Sequence, residues 1–382
     1  MTEDRVVFAA PSIGDDEIAS ACRVLESGWL TTGQECLALE SELGEYLGMP
    51  YVVAMSSCTA AMETAAAALH LPPGATVAVP TWTFVSTATS FTRFGAVPLL
   101  LDVDADSLNV SLDAVARAID VGVRAVVVVH FGGVPVDPRI YELCRDAGVP
   151  VVEDAAHALG SRDWRGRIGG HGTMAACFSF YATKNLTCGE GGALVTEDPK
   201  LATFANAYRL HGLSVDAWAR YTSGDGLAYD VRTPGIKANL PDLLAAVARA
   251  QLARFDELQA RRRHAVTRYR EQLAQLDGVR CVPDELEKNG ADHLMVVVLP
   301  DRVRRDRVVD RLGAEGVGTS IHFQPLHRLD WFRRHAQVDP AGFGVAEGLA
   351  PRVLSLPLHP ELSDDQVDRV CAALADAIGK AS

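Results

Sequence analysis

Lys184 is the residue of this chain whose neighbours most clearly indicate chemistry. It is one of five lysines and lies in the segment Phe178-Ser179-Phe180-Tyr181-Ala182-Thr183-Lys184-Asn185, ahead of the glycine-rich Gly189-Glu190-Gly191-Gly192. Small and aromatic neighbours keep water from the amine, and desolvation lowers the pKa of a lysine so that its neutral form can attack an aldehyde. The segment therefore predicts a lysine that forms a Schiff base.

A second candidate group follows the apolar residues Val151 and Val152, in the segment Glu153-Asp154-Ala155-Ala156-His157. An aspartate just beyond a buried strand, with small residues beside it, could hold the proton of a pyridinium nitrogen and keep that ring an electron acceptor. Two ordinary roles compete with this one. Asp154 could be the N-cap of a helix, and His157 could be a hydrogen-bonded histidine of the core.

The segment Ser56-Ser57-Cys58-Thr59-Ala60-Ala61 lies between a predicted strand and a predicted helix over residues 60–70. Free backbone N–H groups and the positive end of that helix would face a bound anion, and a phosphate suits the position. Taken alone, the short pattern favours an ordinary strand-to-helix turn with Ser or Thr as N-cap.

Aromatic and histidine side chains add weaker signals. Trp82 and Phe84 would point to opposite faces of an extended segment, so only one of them could cover a ligand ring. Core packing is the more frequent fate of a single aromatic residue. His322 and His327 are too isolated for a metal site, although they could line a cleft between two domains.

A parallel sheet is the element that would position these groups. Six short apolar runs alternate with helical patterns between residues 51 and 180, which predicts an α/β fold with a mostly parallel sheet buried on both faces. The ligand of such a sheet lies at the carboxyl ends of its strands. One long helix is then predicted from about Pro241 to the cluster at Arg261.

The remaining segments predict a smaller C-terminal α/β domain. They are a strand over 293–299, a helix over 302–312, a strand over 317–323, and a final helix opened by Ser363 with Gln366 at capping-box spacing. We expect a large domain over residues 1–250 and a small domain over 251–382, with the extreme N-terminus a candidate for packing on the small domain.

Composition excludes several classes of protein. A formal charge of −13 argues against a nucleic-acid surface, which needs clustered positive charge. No apolar stretch is long enough to span a bilayer, and the N-terminus shows no charged leader before an apolar run, so we expect a cytoplasmic protein without a membrane partner. The eight cysteines form no CxxC pair and no Cys/His group at zinc spacing, which predicts reduced thiols and no metal site.

Taken together, these segments closely resemble the DegT/DnrJ/EryC1/StrS family of sugar aminotransferases, which use pyridoxal phosphate in a type I (aspartate aminotransferase-like) fold. The resemblance is carried by seven ordered motifs, which are Gly28-Trp29-Leu30-Thr31-Thr32-Gly33, Ser57-Cys58-Thr59-Ala60-Ala61, Glu153 to Ala158, Phe178 to Gly192, Gly235-Ile236-Lys237-Ala238-Asn239-Leu240, Gly318 to Phe323, and Ser355-Leu356-Pro357. Any one of them would be weak, but their order along the chain is specific.

The resemblance implies roles for single residues around the cofactor ring. Lys184 would hold the cofactor as a Schiff base and move the proton between the amino-acid alpha carbon and the cofactor. Asp154 would pair with the pyridine nitrogen, and His157 would lie near the phenolic oxygen. Phe84 would cover the ring face, in preference to Trp82, because the aromatic residue of the family follows the threonine matched by Thr83.

The resemblance also implies how the phosphate is held. The backbone N–H groups of Thr59 and Ala60 and the Ser179 hydroxyl would bind it, and Asn239 would reach it from a second subunit. Family members are homodimers whose active sites are shared between subunits. Many of them have glycine where Cys58 stands here, which is a departure in the loop that would bind the phosphate.

The function implied is transfer of an amino group from L-glutamate or L-glutamine to a ketone of a nucleotide-linked deoxysugar. Thr59-Ala60-Ala61-Met62 is more similar to members that aminate the 4-keto position than to 3-keto members, which tend to carry aspartate in place of Ala60. A 3-keto sugar or a cyclitol ketone stays open as acceptor. The nucleotide, the stereochemistry and the pathway, surface polysaccharide or antibiotic, are not determined by these motifs.

Three other functions compete with this one. Dehydratases of the family resemble the same pattern with histidine in place of the lysine, so Lys184 argues against them. A dinucleotide-binding oxidoreductase would need GxGxxG after a strand, which the segment Gly166 to Gly172 does not provide. A non-catalytic binding or regulatory protein on the same fold is opposed by the presence of both Lys184 and Asp154.

Overall fold

An eight-stranded sheet is the central layer of the protein, as seen in a computed structural model that describes residues 5–214, 229–283 and 288–381. Its strands are β1 (Tyr51–Met55), β2 (Thr76–Pro80), β3 (Val97–Leu101), β4 (Ala125–Val129), β5 (Val151–Asp154), β8 (Ala175–Ser179), β9 (Gly192–Thr196) and β12 (Gln337–Val338). Their spatial order is β1-β9-β8-β5-β4-β2-β3-β12. Only β9 runs antiparallel to its two neighbours, β1 and β8, and the five other pairings are parallel. The prediction of a mostly parallel sheet is therefore confirmed.

Helices cover both faces of this sheet because its strands are almost wholly apolar, and β4 is buried at each of its five residues. The helices of this part of the chain are α1 (Asp15–Ser27), α2 (Gln34–Leu47), α3 (Cys58–Ala68), α4 (Ser86–Thr92), α5 (Leu112–Asp120), α6 (Arg139–Asp146), α7 (Pro199–Tyr208) and α8 (Asp242–Ala253). A short hairpin, β6 (Arg162–Asp163) with β7 (Gly166–Arg167), lies between β5 and β8.

The single long helix predicted from Pro241 to Arg261 is wrong, because the structure has two helices there. α8 ends at Ala253 and α9 (Phe255–Leu273) begins after Arg254, whose φ of −114° and ψ of 16° leave helical geometry. The Arg254 guanidinium donates to Glu17 Oε1 at 2.9 Å. Neither proline nor glycine marks the break, so the helical periodicity of the sequence continues across it and predicts a single helix.

A three-stranded antiparallel sheet forms the second layer, as a smaller α/β unit in the C-terminal part. It contains β10 (Arg280–Val282), β11 (Met295–Val298) and β13 (Val353–Leu356). Helices α10 (Arg305–Ala314), α11 (Asp330–His335) and α12 (Gly344–Leu349) lie between β11 and β13 in the chain, and α13 (Asp364–Ala381) follows β13. The predicted capping box is confirmed, since the Ser363 N–H donates to Gln366 Oε1 at 3.1 Å and the Gln366 N–H to Ser363 Oγ at 3.2 Å.

The strand predicted over 317–323 is wrong. Val317 makes one isolated bridge to Val6 and Ser320 one to Ser355, without a continuous ladder. Further along, the His322 carbonyl accepts the Trp82 indole N–H at 3.0 Å, so this backbone is used to contact the large sheet. The segment is a connection between the two layers, and hydrophobicity alone does not distinguish it from a strand.

Each of the two units contributes a segment that packs with the other. Residues 1–4 lie outside the described residues, but Val6 is buried in the core cluster formed by α9, α13 and the small sheet. In the other direction, Leu326 and Phe332 are buried in the core of the large unit, and β12 pairs with β3 of its sheet. Val6 therefore packs with the small unit, whereas Leu326, Phe332 and β12 pack with the large one. Within the described ranges, no helix is long and apolar enough to cross a bilayer.

Candidate active site

One cavity of about 410 Å³ collects most of the predicted site residues at the carboxyl ends of the parallel strands. Asp154 ends β5, Ser179 ends β8, and α3 begins just after β1. Six of the eight predicted residues line it, namely Thr59, Phe84, Asp154, His157, Ser179 and Lys184. Ala60 is not part of its lining, and Asn239 lines a different cavity of about 270 Å³.

Asp154 is the buried carboxylate of this cavity, with 5% of its surface exposed. Its Oδ2 accepts the Thr87 hydroxyl at 2.7 Å, and its Oδ1 accepts the Ala156 N–H at 3.1 Å. The Cys58 thiol lies 3.9 Å from Oδ1 as a weak donor. The carboxylate is therefore held in a fixed plane by the protein, as a group that must pair with a flat ligand would be.

Burial lowers the pKa of Lys184 to about 8, and the negative charge of Asp154 opposes part of that decrease. At pH 7 roughly a tenth of such an amine is neutral, far more than for an ordinary lysine with a pKa of about 10.4. Lys184 is half-buried and lines the same cavity as Asp154. It therefore has the acid–base properties of an amine that can attack a carbonyl group.

His157 is held as a neutral imidazole of defined tautomer. Burial, followed by the charge of Lys184, moves its pKa well below the usual value. Its Nδ1 accepts the Gly132 N–H at 3.2 Å, so the ring hydrogen is on Nε2. His157 thus has one N–H left to donate, and it cannot act as a cation at neutral pH.

Two more histidines line the cavity, and sequence reasoning identified only one of them as a cleft residue. Burial lowers the pKa of His322 to about 4, and burial together with His157 moves that of His293 well below its usual value. The ring centroids of His157 and His293 are 4.3 Å apart. His293 Nδ1 lies 2.8 Å from Asn185 Oδ1, next to the lysine in the chain. No local motif marked His293, because only the fold brings it to Lys184.

The loop predicted to bind phosphate already has one internal bond. Ser57 is the N-cap of α3, and its Oγ accepts the Ala60 N–H at 3.1 Å. The N-cap role expected from the pattern is therefore present, and the Ala60 N–H is not free as the phosphate prediction assumed. Thr59, in the first turn of α3, and Ser179, at the end of β8, both line the cavity.

Gly192 explains why the segment after Lys184 is rich in glycine. A Cβ atom at this position would lie 2.5 Å from Cys58 N and 2.5 Å from Phe178 O. Such distances are impossible for a real side chain. Only a glycine at this position allows β9 to lie this close to β8 and to the loop predicted to bind phosphate. The glycine therefore serves the packing around the site.

The structure distinguishes Phe84 from Trp82, and His322 from His327. Trp82 is 1% exposed and belongs to the core, whereas Phe84 is 54% exposed and lines the cavity. His322 lines the cavity, but His327 instead stacks on Phe343 at 4.0 Å between centroids. Its ring also contacts Thr81 and Glu347, which ties β2 to α12. His327 is thus structural.

The residues present fit pyridoxal phosphate. An amine of lowered pKa and a buried carboxylate line one cavity, whose volume lies within the range of pockets for small molecules. Lys184 would hold the carbonyl carbon, Asp154 the ring nitrogen, and the loop with Thr59 and Ser179 the phosphate. Among the described residues, no group of three His, Cys, Asp or Glu side chains is arranged to hold a metal ion.

Comparison with known proteins agrees with this geometry. The family model of the DegT/DnrJ/EryC1/StrS aminotransferases matches residues 11–375. The aminotransferase TlmJ from Streptoalloteichus hindustanus is 33% identical with a TM-score of 0.90, covering 99% of this chain and 100% of its own. The sugar aminotransferase CalS13 from Micromonospora echinospora is 28% identical with a TM-score of 0.86, covering 97% of this chain and 99% of its own.

Spr1654 from Streptococcus pneumoniae has been solved in a PMP form, which is 28% identical with a TM-score of 0.90 and covers 98% of this chain and 99% of its own. A PLP form of the same protein is also similar to this chain, at 26% identity. The cofactor of these relatives is the one that Lys184 and Asp154 fit. Because the family model spans nearly the whole chain and includes both residues, the protein belongs to the DegT/DnrJ/EryC1/StrS family of pyridoxal-phosphate-dependent aminotransferases.

Proposed function

We propose that the protein transfers an amino group from L-glutamate or L-glutamine to the ketone of a nucleotide-linked keto-deoxysugar, with the 4-keto position favoured, for the biosynthesis of an amino sugar. The observation that carries the proposal is the placement of Lys184, with its lowered pKa, in one cavity with the buried Asp154. The sugar aminotransferase CalS13 supports a sugar as acceptor. The residues Thr59-Ala60-Ala61-Met62 support the 4-keto position.

Bound pyridoxal phosphate supplies a carbonyl group that exchanges amines and a ring that accepts electrons. Lys184 would hold the carbonyl carbon of the cofactor and would move a proton to or from the alpha carbon of the bound donor. Asp154 would keep the ring nitrogen protonated, Phe84 would cover the ring, and the Nε2–H of His157 would be available to an oxygen of the cofactor. Neutral His157, His293 and His322 add no positive charge that would compete with the ring nitrogen for Asp154.

The acceptor would enter over the exposed rim of the cavity. Tyr181 is 47% exposed there, and Glu190 is exposed beside it, both within the lining. An aromatic face and a carboxylate are groups that bind a sugar ring and its hydroxyls. No diphosphate partner is present among the described lining residues, where Lys184 is the one cation.

A second subunit would supply the missing positive charge. Asn239 and Arg232 line the 270 Å³ cavity. The Lys237 ammonium contacts the side-chain oxygen of Asn239. Asn239 Nδ2 donates to Thr32 Oγ1 at 2.7 Å, in the loop that carries the Gly28–Gly33 motif. These groups lie outside the cavity of Lys184 in the same chain, and in a homodimer with shared active sites they would face the cavity of the partner.

The proposed function is tested by the absorbance spectrum of the protein loaded with pyridoxal phosphate. Adding L-glutamate or L-glutamine should convert the Schiff-base band to that of the pyridoxamine form, and a nucleotide-linked 4-keto-deoxysugar should then restore it. A matched 3-keto sugar and a cyclitol ketone serve as alternative acceptors. Reversal by one of these in place of the 4-keto sugar would reassign the substrate, and no conversion by any donor would support a non-catalytic protein.

The shared site is tested by Asn239→Ala. Because its amide is proposed to reach the phosphate in the partner, the variant should bind pyridoxal phosphate roughly tenfold more weakly while keeping the Schiff-base band at saturation. Cofactor titration followed by absorbance measures both quantities. Asn206→Ala, in the same cavity, is the control and should bind the cofactor normally. An unchanged dissociation constant for Asn239→Ala would remove the argument for this contact.

A further inference from the structure

Thr87 makes the short side-chain contact to Asp154. Its Oγ1 lies 2.7 Å from Asp154 Oδ2, and Thr87 is fully buried. Thr83 Oγ1 lies 2.7 Å from Thr87 Oγ1 and is also buried. The three groups form a chain of hydrogen bonds from the segment after β2 to the end of β5, without an exposed member.

The direction of this chain follows from counting hydrogens. A threonine hydroxyl has one hydrogen to donate, and Thr87 gives it to the carboxylate. The contact between the two threonines must therefore be donated by Thr83. Consecutive hydrogen bonds that point the same way strengthen one another in a buried site.

Other hydroxyls of the same helix behave differently. Ser90 donates to the Ser86 carbonyl at 2.7 Å and Thr92 to the Thr89 carbonyl at 2.9 Å, which are the usual partners of a helical hydroxyl. Thr87 instead donates away from its helix, to a carboxylate 67 residues later in the chain. A hydroxyl needed only for the helix would not have this partner.

We infer that Thr87, supported by Thr83, is a positioning residue that stabilises the charged form of the Asp154 carboxylate and fixes its plane toward the cofactor ring. This inference rests on the proposed pairing of Asp154 with the ring nitrogen. A hydrogen bond donated to a carboxylate stabilises its charged form. The proton between the two groups then stays on the ring nitrogen, where it makes the ring a good electron acceptor.

Without the Thr87 hydroxyl, the charged form of Asp154 would lose a hydrogen bond, and the carboxylate would draw that proton toward itself. The ring would carry less positive charge, so the proton on the donor alpha carbon would be harder to remove. For the same electrostatic reason, the Schiff-base nitrogen would lose its proton at a higher pH. The rate of the donor half-reaction and the midpoint of the pH titration of the Schiff-base band should therefore change together.

The test uses Thr87→Val, which keeps the shape of the side chain and removes its hydroxyl. A hydrogen bond to a charged group predicts a fall of about tenfold to a hundredfold in the rate of the donor half-reaction, with the KM for the donor within about twofold. The pH titration of the Schiff-base band, without any donor, should have its midpoint at a higher pH. Thr87→Ser should restore both quantities.

Thr92→Val is the matched control, because its hydroxyl contacts only a backbone carbonyl of the same helix. It should change neither measurement. If Thr87→Val does not fold, Thr83→Val tests the same chain and should shift the titration in the same direction by less. An unchanged titration midpoint in both valine variants overturns the inference. The titration needs no substrate, so failure of the proposed sugar transfer would not be mistaken for failure of this inference.

Discussion

Lys184→Ala is expected to remove the Schiff-base absorbance band and to lower turnover by about a thousandfold or more. Without the amine, the cofactor has no covalent attachment and the donor alpha proton has no positioned base, and loss of a general base alone costs about 10²–10⁴-fold. The measurements are the visible spectrum of the protein after loading with pyridoxal phosphate and the steady-state rate with an amino donor.

Two variants serve as controls for the lysine. Lys184→Arg keeps a positive charge near Asp154 but cannot form a Schiff base, so it should be as inactive as the alanine variant. Lys200→Ala removes an exposed lysine at the start of α7 and should leave the spectrum and the rate unchanged. A Schiff-base band that persists in Lys184→Ala would mean that another amine is the anchor.

Asp154→Asn is the second variant with a large expected effect, and it should separate cofactor binding from turnover. The charge of Asp154 raises the pKa of Lys184. Removing it should make the amine more often neutral, so that the Schiff base still forms. Turnover should nevertheless fall by about 10²–10⁴-fold, because an amide cannot keep the ring nitrogen protonated.

The spectrum and the rate constant of the donor half-reaction measure these two effects of Asp154→Asn. The same substitution at an exposed aspartate, Asp120→Asn at the end of α5, should leave both unchanged. Wild-type turnover in Asp154→Asn would show that the carboxylate does not act on the cofactor ring, and it would also remove the basis for the role assigned to Thr87.

The elements of regular structure were largely predictable from local patterns. Short apolar runs such as Tyr51–Met55 and Val97–Leu101 are strands, as their composition predicts, since a strand buried on both faces must be apolar throughout. The capping box at Ser363 was predictable for a similar reason, because both of its partners are three residues apart. Arg254 and the segment 317–323 were not, because their backbone geometry depends on residues distant in the chain.

The candidate site shows the same division. Lys184 and Asp154 were identified from their immediate neighbours, and the family motifs implied that both contact the same cofactor. Thr87 and His293 were missed. Thr83 lies before α4 and Thr87 lies within it, and nothing local in the sequence indicates a carboxylate as the partner of Thr87. His293 reaches the cavity from the other unit of the fold.

The sequence by itself therefore determined the fold class and the family, and it indicated Lys184 and Asp154 as candidate anchor and carboxylate, because these depend on local patterns and on the order of those patterns along the chain. Only the tertiary structure decided how strongly Lys184 is desolvated, which hydroxyl holds Asp154, and which histidines stay neutral beside them. Those properties arise from groups that meet at the carboxyl ends of the strands. Burial there sets pKa values and hydrogen-bond directions, and neither can be determined from residue order alone.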